Sequence, residues 1–328
     1  MALLEVQDLN IHLNTRRGSV RAVRDLSFAL ERGQTMGLVG ESGCGKSITA
    51  LALMGLLPER SRVSGSIRLD GRELVGMTDA ALCRLRGDRI AMVFQEPMSA
   101  LNPVHRIGEQ VAEPLRLHRG LTRAAARSEA IALLERVGIG DAARRYDAWP
   151  HQFSGGQRQR ITIAMALGCA PDLLIADEPT TALDVTLQKQ ILDLIRDLVR
   201  ERGMGLLLIS HDLGVVAQNV ARMLVMYGGS VVEAGSTQRV FAHMAHPYTR
   251  GLLAARAQLG AAPGTRLSTI PGSVPELAEL PAGCPFASRC HLAVGACSCE
   301  VPPAITLDGE HQARCSQLHR MPAQEIKT

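Results

Sequence analysis

The chain is short of several things, and each shortage closes a route. Aromatic residues make up 3% of its 328 residues, which leaves few stacking platforms for single-stranded nucleic acid. No apolar run approaches the roughly 18 residues of a membrane-spanning helix. Net charge is only +4, with basic residues scattered along the chain, too mild a balance to imply nucleic acid as partner. The opening Met1-Ala2-Leu3-Leu4-Glu5 lacks a basic stretch followed by an apolar core, so no export signal is expected. Cysteine is present, eight in all, but never as the Cys-x2-Cys pair of common zinc ribbons. Disulfides are not expected in the reducing cytosol that these absences suggest. What remains is hydrophobic content of 46%, enough for a large core. The length leaves room for an α/β domain of about 240 residues and a smaller appendage.

The most informative segment is Gly40-Glu41-Ser42-Gly43-Cys44-Gly45-Lys46-Ser47, followed by Ile48. It fits the phosphate-binding pattern G-x-x-x-x-G-K-[ST]. An apolar strand, Met36 to Val39, precedes it, and the helix-forming stretch Ile48 to Met54 follows. Glycines let the loop curl so that backbone N–H groups and a helix N-terminus face a polyanion. Lys46 then reaches the outer phosphates, and the Ser47 hydroxyl is a ligand for Mg²⁺. A second buried strand, Leu173 to Ala176, ends at Asp177 and Glu178, with Pro179 fixing the turn. Asp177 is placed to hold Mg²⁺ through water, and Glu178 to polarise the water that attacks the γ-phosphate. A third strand, Gly205 to Ser210, ends at His211, where ligands bind in an open α/β sheet.

Phe153-Ser154-Gly155-Gly156-Gln157 opens an apolar helix and forms a second anion cradle. One nucleotide does not need two cradles, so the second is expected to serve a nucleotide held by another subunit. With these residues in hand, the chain resembles the ATP-binding subunit of an ABC transporter. Phe153 to Gln157 is similar to that family's signature loop, with Phe where Leu is commoner. Gln95 resembles its Q-loop glutamine, Ala182-Leu183-Asp184 its D-loop and His211 its switch histidine. The matches occur in the family's order over residues 1–240. The resemblance implies a P-loop α/β cassette with a parallel core sheet, antiparallel flanking strands and a helical subdomain at about 102–160. It implies two cassettes closing head to tail around two ATP molecules, with Ser47, Gln95 and Asp177 at Mg²⁺. His211 would contact the γ-phosphate, and Ser154, Gly155, Gly156 and Gln157 would serve the nucleotide of the opposite chain. Where the family stacks adenine on an aromatic, this chain has Asn14 to Val20 with none, so Arg16 or Arg17 is the candidate platform.

Leu3 to Leu13, Val23 to Leu30 and Ser66 to Asp70 read as an antiparallel sheet. Ile131, Leu134 and Val137 read as one helical stripe, and Met223 to Ala234 as a hairpin through Gly228-Gly229. Asp184 is expected to cap a long helix running to about Arg202.

The segment Glu96 to Pro103, with His246-Pro247-Tyr248-Thr249-Arg250 and Ile270 to Pro275, resembles the peptide and nickel importer subfamily. Residues 241–328 would then be its C-terminal extension, joined through a proline-punctuated linker at 263–281. Five cysteines crowd this tail. Four thiolates at Cys284, Cys290, Cys297 and Cys315 could hold zinc or an iron–sulfur cluster, and spacing does not choose between them. The resemblance favours a 4Fe-4S cluster, with Cys299 an extra thiol; it would order a tail too short and proline-broken to bury much apolar surface, and metal-free cysteines are the remaining alternative. Cys44, Cys83 and Cys169 read as inert. The family likeness further implies a second ATPase chain in a heterodimer, two transmembrane permease subunits and an extracytoplasmic solute-binding protein. It places the chain peripherally on the cytoplasmic face of the inner membrane. The leading expectation is ATP-driven import of dipeptides or oligopeptides. Nickel import is the nearer rival, and a soluble ABC ATPase of repair or translation the farther one.

Overall fold

Strand-forming runs of two kinds, alternating and continuous, sort into two sheets. The computed structural model describes residues 2–15, 18–96, 100–181, 183–255 and 269–320. Its strands in chain order are β1 (Ala2–Thr15), β2 (Gly18–Glu31), β3 (Thr35–Val39), β4 (Arg62–Leu69), β5 (Arg72–Glu73), β6 (Ile90–Val93), β7 (Leu173–Asp177), β8 (Gly205–Ser210), β9 (Arg222–Tyr227), β10 (Ser230–Ser236), β11 (Ile305–Asp308) and β12 (His311–Ala313). The smaller sheet has the order β2-β1-β4-β5 and is antiparallel. Its inward residues, among them Leu4, Val6, Leu9, Ile11, Val23 and Leu30, are almost wholly buried, as half-buried alternating strands require.

The larger sheet has the order β11-β12-β10-β9-β3-β8-β7-β6. From β9 to β6 every pairing is parallel. β6, β7 and β8 are buried at every position, which explains why they read as continuous apolar runs rather than alternations. Register aligns their ends: Val39 pairs with Ser210, Asp177 with Ile209, and Val93 with Ala176. The four segments beginning Gly40, Gln95, Glu178 and His211 therefore leave from one carboxyl edge, the usual ligand edge of an open α/β sheet.

Between β6 and β7 lie helices Ile107–Arg119, Arg123–Arg136 and Gly155–Leu167. Of the expected stripe, Leu134 and Val137 are buried and Ile131 is partly buried against the same core. Ala126, Ala130 and Leu133 complete the packed face, because small alanines let the helices approach closely. The helix Val185–Arg202 starts as anticipated, with the Asp184 carboxylate accepting from the Leu187 N–H at 2.9 Å.

The tail does not hang free. β12 pairs with β10, Glu233 opposite Ala313, so the tail hairpin extends the main sheet. Two of the chain's three tyrosines, Tyr227 and Tyr248, pack with Phe286 at ring distances of 4.7, 5.1 and 5.4 Å. A scarce residue class is thus placed at the junction of cassette and tail. The Glu233 carboxylate, fully buried, accepts from the Ala245 and His246 N–H groups and pairs with His311 Nε2 at 2.8 Å. Residues 269–281, expected as a linker, lie against the cassette.

Candidate nucleotide site

Local chemistry shapes the phosphate loop. Gly45 has φ 102, and a Cβ there would stand 2.8 Å from the Ala22 carbonyl, so only glycine closes this turn. Gly40 is equally confined: a Cβ would stand 2.2 Å from the Met226 carbonyl and 2.7 Å from Cys44 Sγ. The helix Lys46–Leu53 begins at Gly45 without a side-chain cap, which leaves its positive end facing the loop. Lys46 is 5% exposed, and its ammonium donates to the Gly40 and Glu41 carbonyls at 2.7 and 3.1 Å. Cys44 is buried, its thiol pushed up by desolvation, and packs as an inert side chain. Cys83, by contrast, is exposed.

Ser47 Oγ donates to Asp177 Oδ1 at 3.2 Å. Asp177 is nearly buried, and desolvation pushes its carboxyl up, with the Glu178 charge adding to the effect. A hydroxyl and a carboxylate that a cation would relieve of its desolvation are hard oxygen donors of the kind Mg²⁺ takes. Mg²⁺ commonly uses one or two such groups beside substrate phosphates, so the residues fit it.

Glu178 occupies the left-handed region, φ 43, a conformation costing on the order of 1–3 kcal/mol and held only where surroundings enforce it. Its N–H is held by the Ile209 carbonyl at 2.9 Å. Its Oε2 accepts from Thr181 Oγ1 at 3.0 Å and Gln95 Nε2 at 3.2 Å, and lies 3.1 Å from His211 Nδ1. Two segments remote in sequence, those of Gln95 and His211, thus converge with the neighbouring Thr181 on one carboxylate oxygen. Gln95, expected beside Ser47 at the metal, shares a cavity with Ser47 and contacts Glu178. A cavity of about 510 Å³ gathers Glu41, Ser42, Gly43, Gly45, Lys46, Ser47, Ile48, Gln95, Glu178 and His211, together with Leu277. None of Ser154 to Gln157 lines it.

Comparison with known proteins bears on this arrangement. Residues 23–181 match the family described as ABC transporter, and residues 232–297 that described as oligopeptide/dipeptide transporter, C-terminal region. The peptide import ATP-binding protein BMEII0863 of Brucella melitensis is 50% identical over 333 residues, 98% of this chain and 98% of that protein. The chain belongs to the ABC transporter family. The oligopeptide transport ATP-binding protein OppD of Mycobacterium tuberculosis is 49% identical over 95% of this chain and 51% of its own length. Among solved structures, the ABC cassette MJ0796, in a dimeric post-hydrolysis state bound to ADP and Pi, has TM-score 0.64 at 26% identity, covering 71% of this chain and 98% of that one.

In this ABC ATPase the segment Ser154–Gln157 has a use within its own chain that the sequence did not suggest. Ser154 Oγ accepts from the Gln157 N–H at 3.3 Å, and Gln157 Oε1 from the Ser154 N–H at 3.2 Å. This reciprocal cap starts the helix Gly155–Leu167. Gly156 faces Leu187, whose Cδ2 would lie 2.3 Å from a Cβ there, whereas a Cβ at Gly155 meets nothing within 4 Å. The Arg145 guanidinium lies 4.2 Å from the Phe153 ring centroid, which gives the aromatic in place of leucine a partner.

Sequence reasoning missed Thr181, Tyr248 and Arg289. The Tyr248 hydroxyl accepts from the Glu41 N–H at 2.7 Å, and Arg289 Nη1 and Nη2 donate to the Glu41 carboxylate at 2.7 and 3.2 Å. The His-Pro-Tyr-Thr-Arg motif was visible, but nothing in it revealed that its tyrosine braces the phosphate loop. Arg16 and Arg17, proposed to stack on the base, lie outside the described residues, as do Pro97 to Ser99 and Ala182.

The iron–sulfur and zinc expectations for the cassette's tail find no support. Among the described residues, no group of three or more His, Cys, Asp or Glu side chains is arranged to hold a metal ion. Cys284, Cys297 and Cys315 are buried, and burial, then neighbouring thiols, push Cys284 up to about 11 and Cys290 and Cys315 in the same direction. Neutral thiols of this kind pack as small apolar side chains. The tail was expected to bury too little surface without a metal. Phe286, Ala287, Cys284 and Cys297 instead join the main hydrophobic core.

Proposed function

We propose that this chain is the ATP-hydrolysing subunit of a peptide importer, working through separate membrane-embedded permeases. The observation that carries the reading is the convergence of Lys46, Ser47, Asp177 and Glu178 at one sheet edge, in a chain matching a peptide import ATP-binding protein along almost its whole length. Ser47 and Asp177 are the residues that would hold Mg²⁺, with Gln95 entering as the site closes. When bound, the cation neutralises charge on the β- and γ-phosphates. Lys46 and the loop amides hold those phosphates. Glu178, kept in place by Thr181, Gln95 and its strained backbone, orients the attacking water and draws on its proton. His211, 61% exposed at its side chain, is free to turn to the γ-phosphate.

The Ser154–Gln157 loop lies outside the cavity of its own chain, which supports a site completed by a second cassette, in the heterodimeric arrangement that the sequence suggested. Among the described residues no helix is long and apolar enough to cross a membrane. Phe94, Val104 and Leu117, 40%, 71% and 73% exposed, supply apolar surface around the helical insert for permease loops. The subunit would then work at the cytoplasmic face of the inner membrane, with an extracytoplasmic binding protein delivering the peptide. The test is uptake into proteoliposomes holding the chain with its permeases, its companion ATPase and the binding protein. Peptide uptake that requires ATP is the expected result. Uptake of Ni²⁺ but not of peptide would overturn the solute assignment.

A further inference from the structure

Beside the phosphate cavity lies a second one of about 520 Å³. The two share Ser42, Gly43 and Leu277 in their walls, so they adjoin across the phosphate loop. Their chemistry differs. The first presents Lys46, Ser47, Gln95, Glu178 and His211, groups for phosphate and water. The second is mostly apolar, lined by Val20, Val274, Pro275, Leu277 and Ala278, with Thr15 and Glu276 as its polar side chains beside the shared Ser42. A nucleotide bound by its phosphates at Lys46 and Ser47 must place its nucleoside next to that loop, and an apolar wall is what a base face requires.

That wall is held firmly in place. At one end, Arg289 Nε donates to the Pro271 carbonyl at 2.9 Å while the same guanidinium grips Glu41 of the phosphate loop. Ile270 beside it packs over Gly251, 2.9 Å from where a Cβ would stand. At the other end, Leu280 lies 3.1 Å from the Cβ position of Gly228. The segment between is therefore a strap with both ends anchored on the cassette, and its anchor is shared with the phosphate loop.

We propose that the tail strap Val274–Ala278 is the base-facing wall of the nucleotide site, with Leu277 as the residue in contact with the base. This rests on the ATP reading given above. The tail thereby contributes to nucleotide binding in the same chain and substitutes an aliphatic surface for an aromatic platform. An aliphatic wall recognises the faces of a base and not its edge. Base selectivity is therefore weak, since apolar contact discriminates poorly between ligands differing in polar groups.

The experiment is calorimetric titration of the full-length chain with ATP, GTP and inorganic tripolyphosphate, each with Mg²⁺. Leu277→Ala is expected to weaken ATP about tenfold, the scale of losing most of one apolar side chain's contact. Tripolyphosphate, which has no base, should change less than about threefold on the same substitution. Leu277→Tyr, which adds a ring face, should tighten ATP and GTP alike and leave tripolyphosphate unchanged, a gain that misfolding does not produce. Unchanged ATP affinity in both variants would overturn the proposal, as would parallel losses of ATP and tripolyphosphate. Wild-type protein that binds tripolyphosphate but neither nucleotide more tightly also overturns it, while leaving the phosphate site standing. Wild-type protein that binds none of the three would instead remove the ATP reading itself.

Discussion

In the proposed function the chemistry turns on Glu178, and its surroundings support that role. A carboxylate at φ 43 whose Oε2 meets Thr181, Gln95 and His211 is held in one place, as the proposed base must be. Glu178→Gln keeps the shape and the hydrogen bonds but cannot take a proton. Turnover in the assembled transporter is expected to fall by roughly 10²- to 10⁴-fold, with ATP binding retained. Near-normal hydrolysis, with the companion cassette inactivated, would refute the role. Lys46→Ala is expected to fail earlier, at nucleotide binding, which a titration separates from a turnover defect. Glu178 was legible because a buried apolar strand exiting into Asp-Glu-Pro sets two carboxylates at a ligand edge. Its partners' convergence was not, since Gln95 is 83 residues away and only parallel register brings them together. Leu277 left no mark at all: a leucine in a proline-broken stretch looks like linker until a contact spanning 248 residues, Arg289 to Glu41, draws the strap in.

At the scale of elements, strands and caps read well while faces and junctions read poorly. The continuous apolar runs of β7 and β8 announced burial on both sides, and Asp184 announced a helix start. The stripe on Arg123–Arg136 was read only in part because alanines, weak as hydrophobic signals, form much of its packed face. The tail's attachment depends on polar groups that composition cannot place. His246 caps the helix Pro247–Ala254, its Nδ1 accepting from the Tyr248 N–H at 3.1 Å. It is wholly buried, and desolvation lowers its pKa from 6.5 to about 4, against a smaller opposing pull from Glu233. The folded protein therefore holds His246 neutral where the unfolded chain would protonate it. Between pH 6.5 and about 4 the unfolded state binds the extra proton, so stability falls as pH falls through that window and this contribution is complete above it. Denaturant titrations at pH 7 and pH 5 should show the loss in wild type. In His246→Asn, which retains a capping side chain, the decline should be shallower. An identical pH dependence in the two proteins would contradict the buried, neutral histidine.

Across the whole molecule, the cassette gathers one candidate phosphate site and leaves the Ser154–Gln157 loop outside that site's cavity. The parallel sheet sets Gly40, Gln95, Glu178 and His211 on a common edge, and Ser154 to Gln157 lie elsewhere. The tail, through Glu233–His311, the Tyr227–Tyr248–Phe286 cluster and Arg289, is built into the same body and braces the phosphate loop. The resemblance implied an assembly of two cassettes. It did not convey that Ser154 and Gln157 cap a helix within their own chain, which changes how the cradle must be probed. Removing Ser154 would disturb the cap, and enlarging Gly156 would strike Leu187. Gly155 is the cleaner position, because a Cβ there meets nothing within 4 Å. The most direct measurement is therefore ATP binding and hydrolysis by the purified transporter carrying Gly155→Asp, with mass spectrometry establishing which cassettes it contains. The expected result is nucleotide binding as in wild type and hydrolysis lost at the opposite site, where a carboxylate now faces the γ-phosphate. Wild-type hydrolysis at that site would contradict a catalytic centre shared between two cassettes.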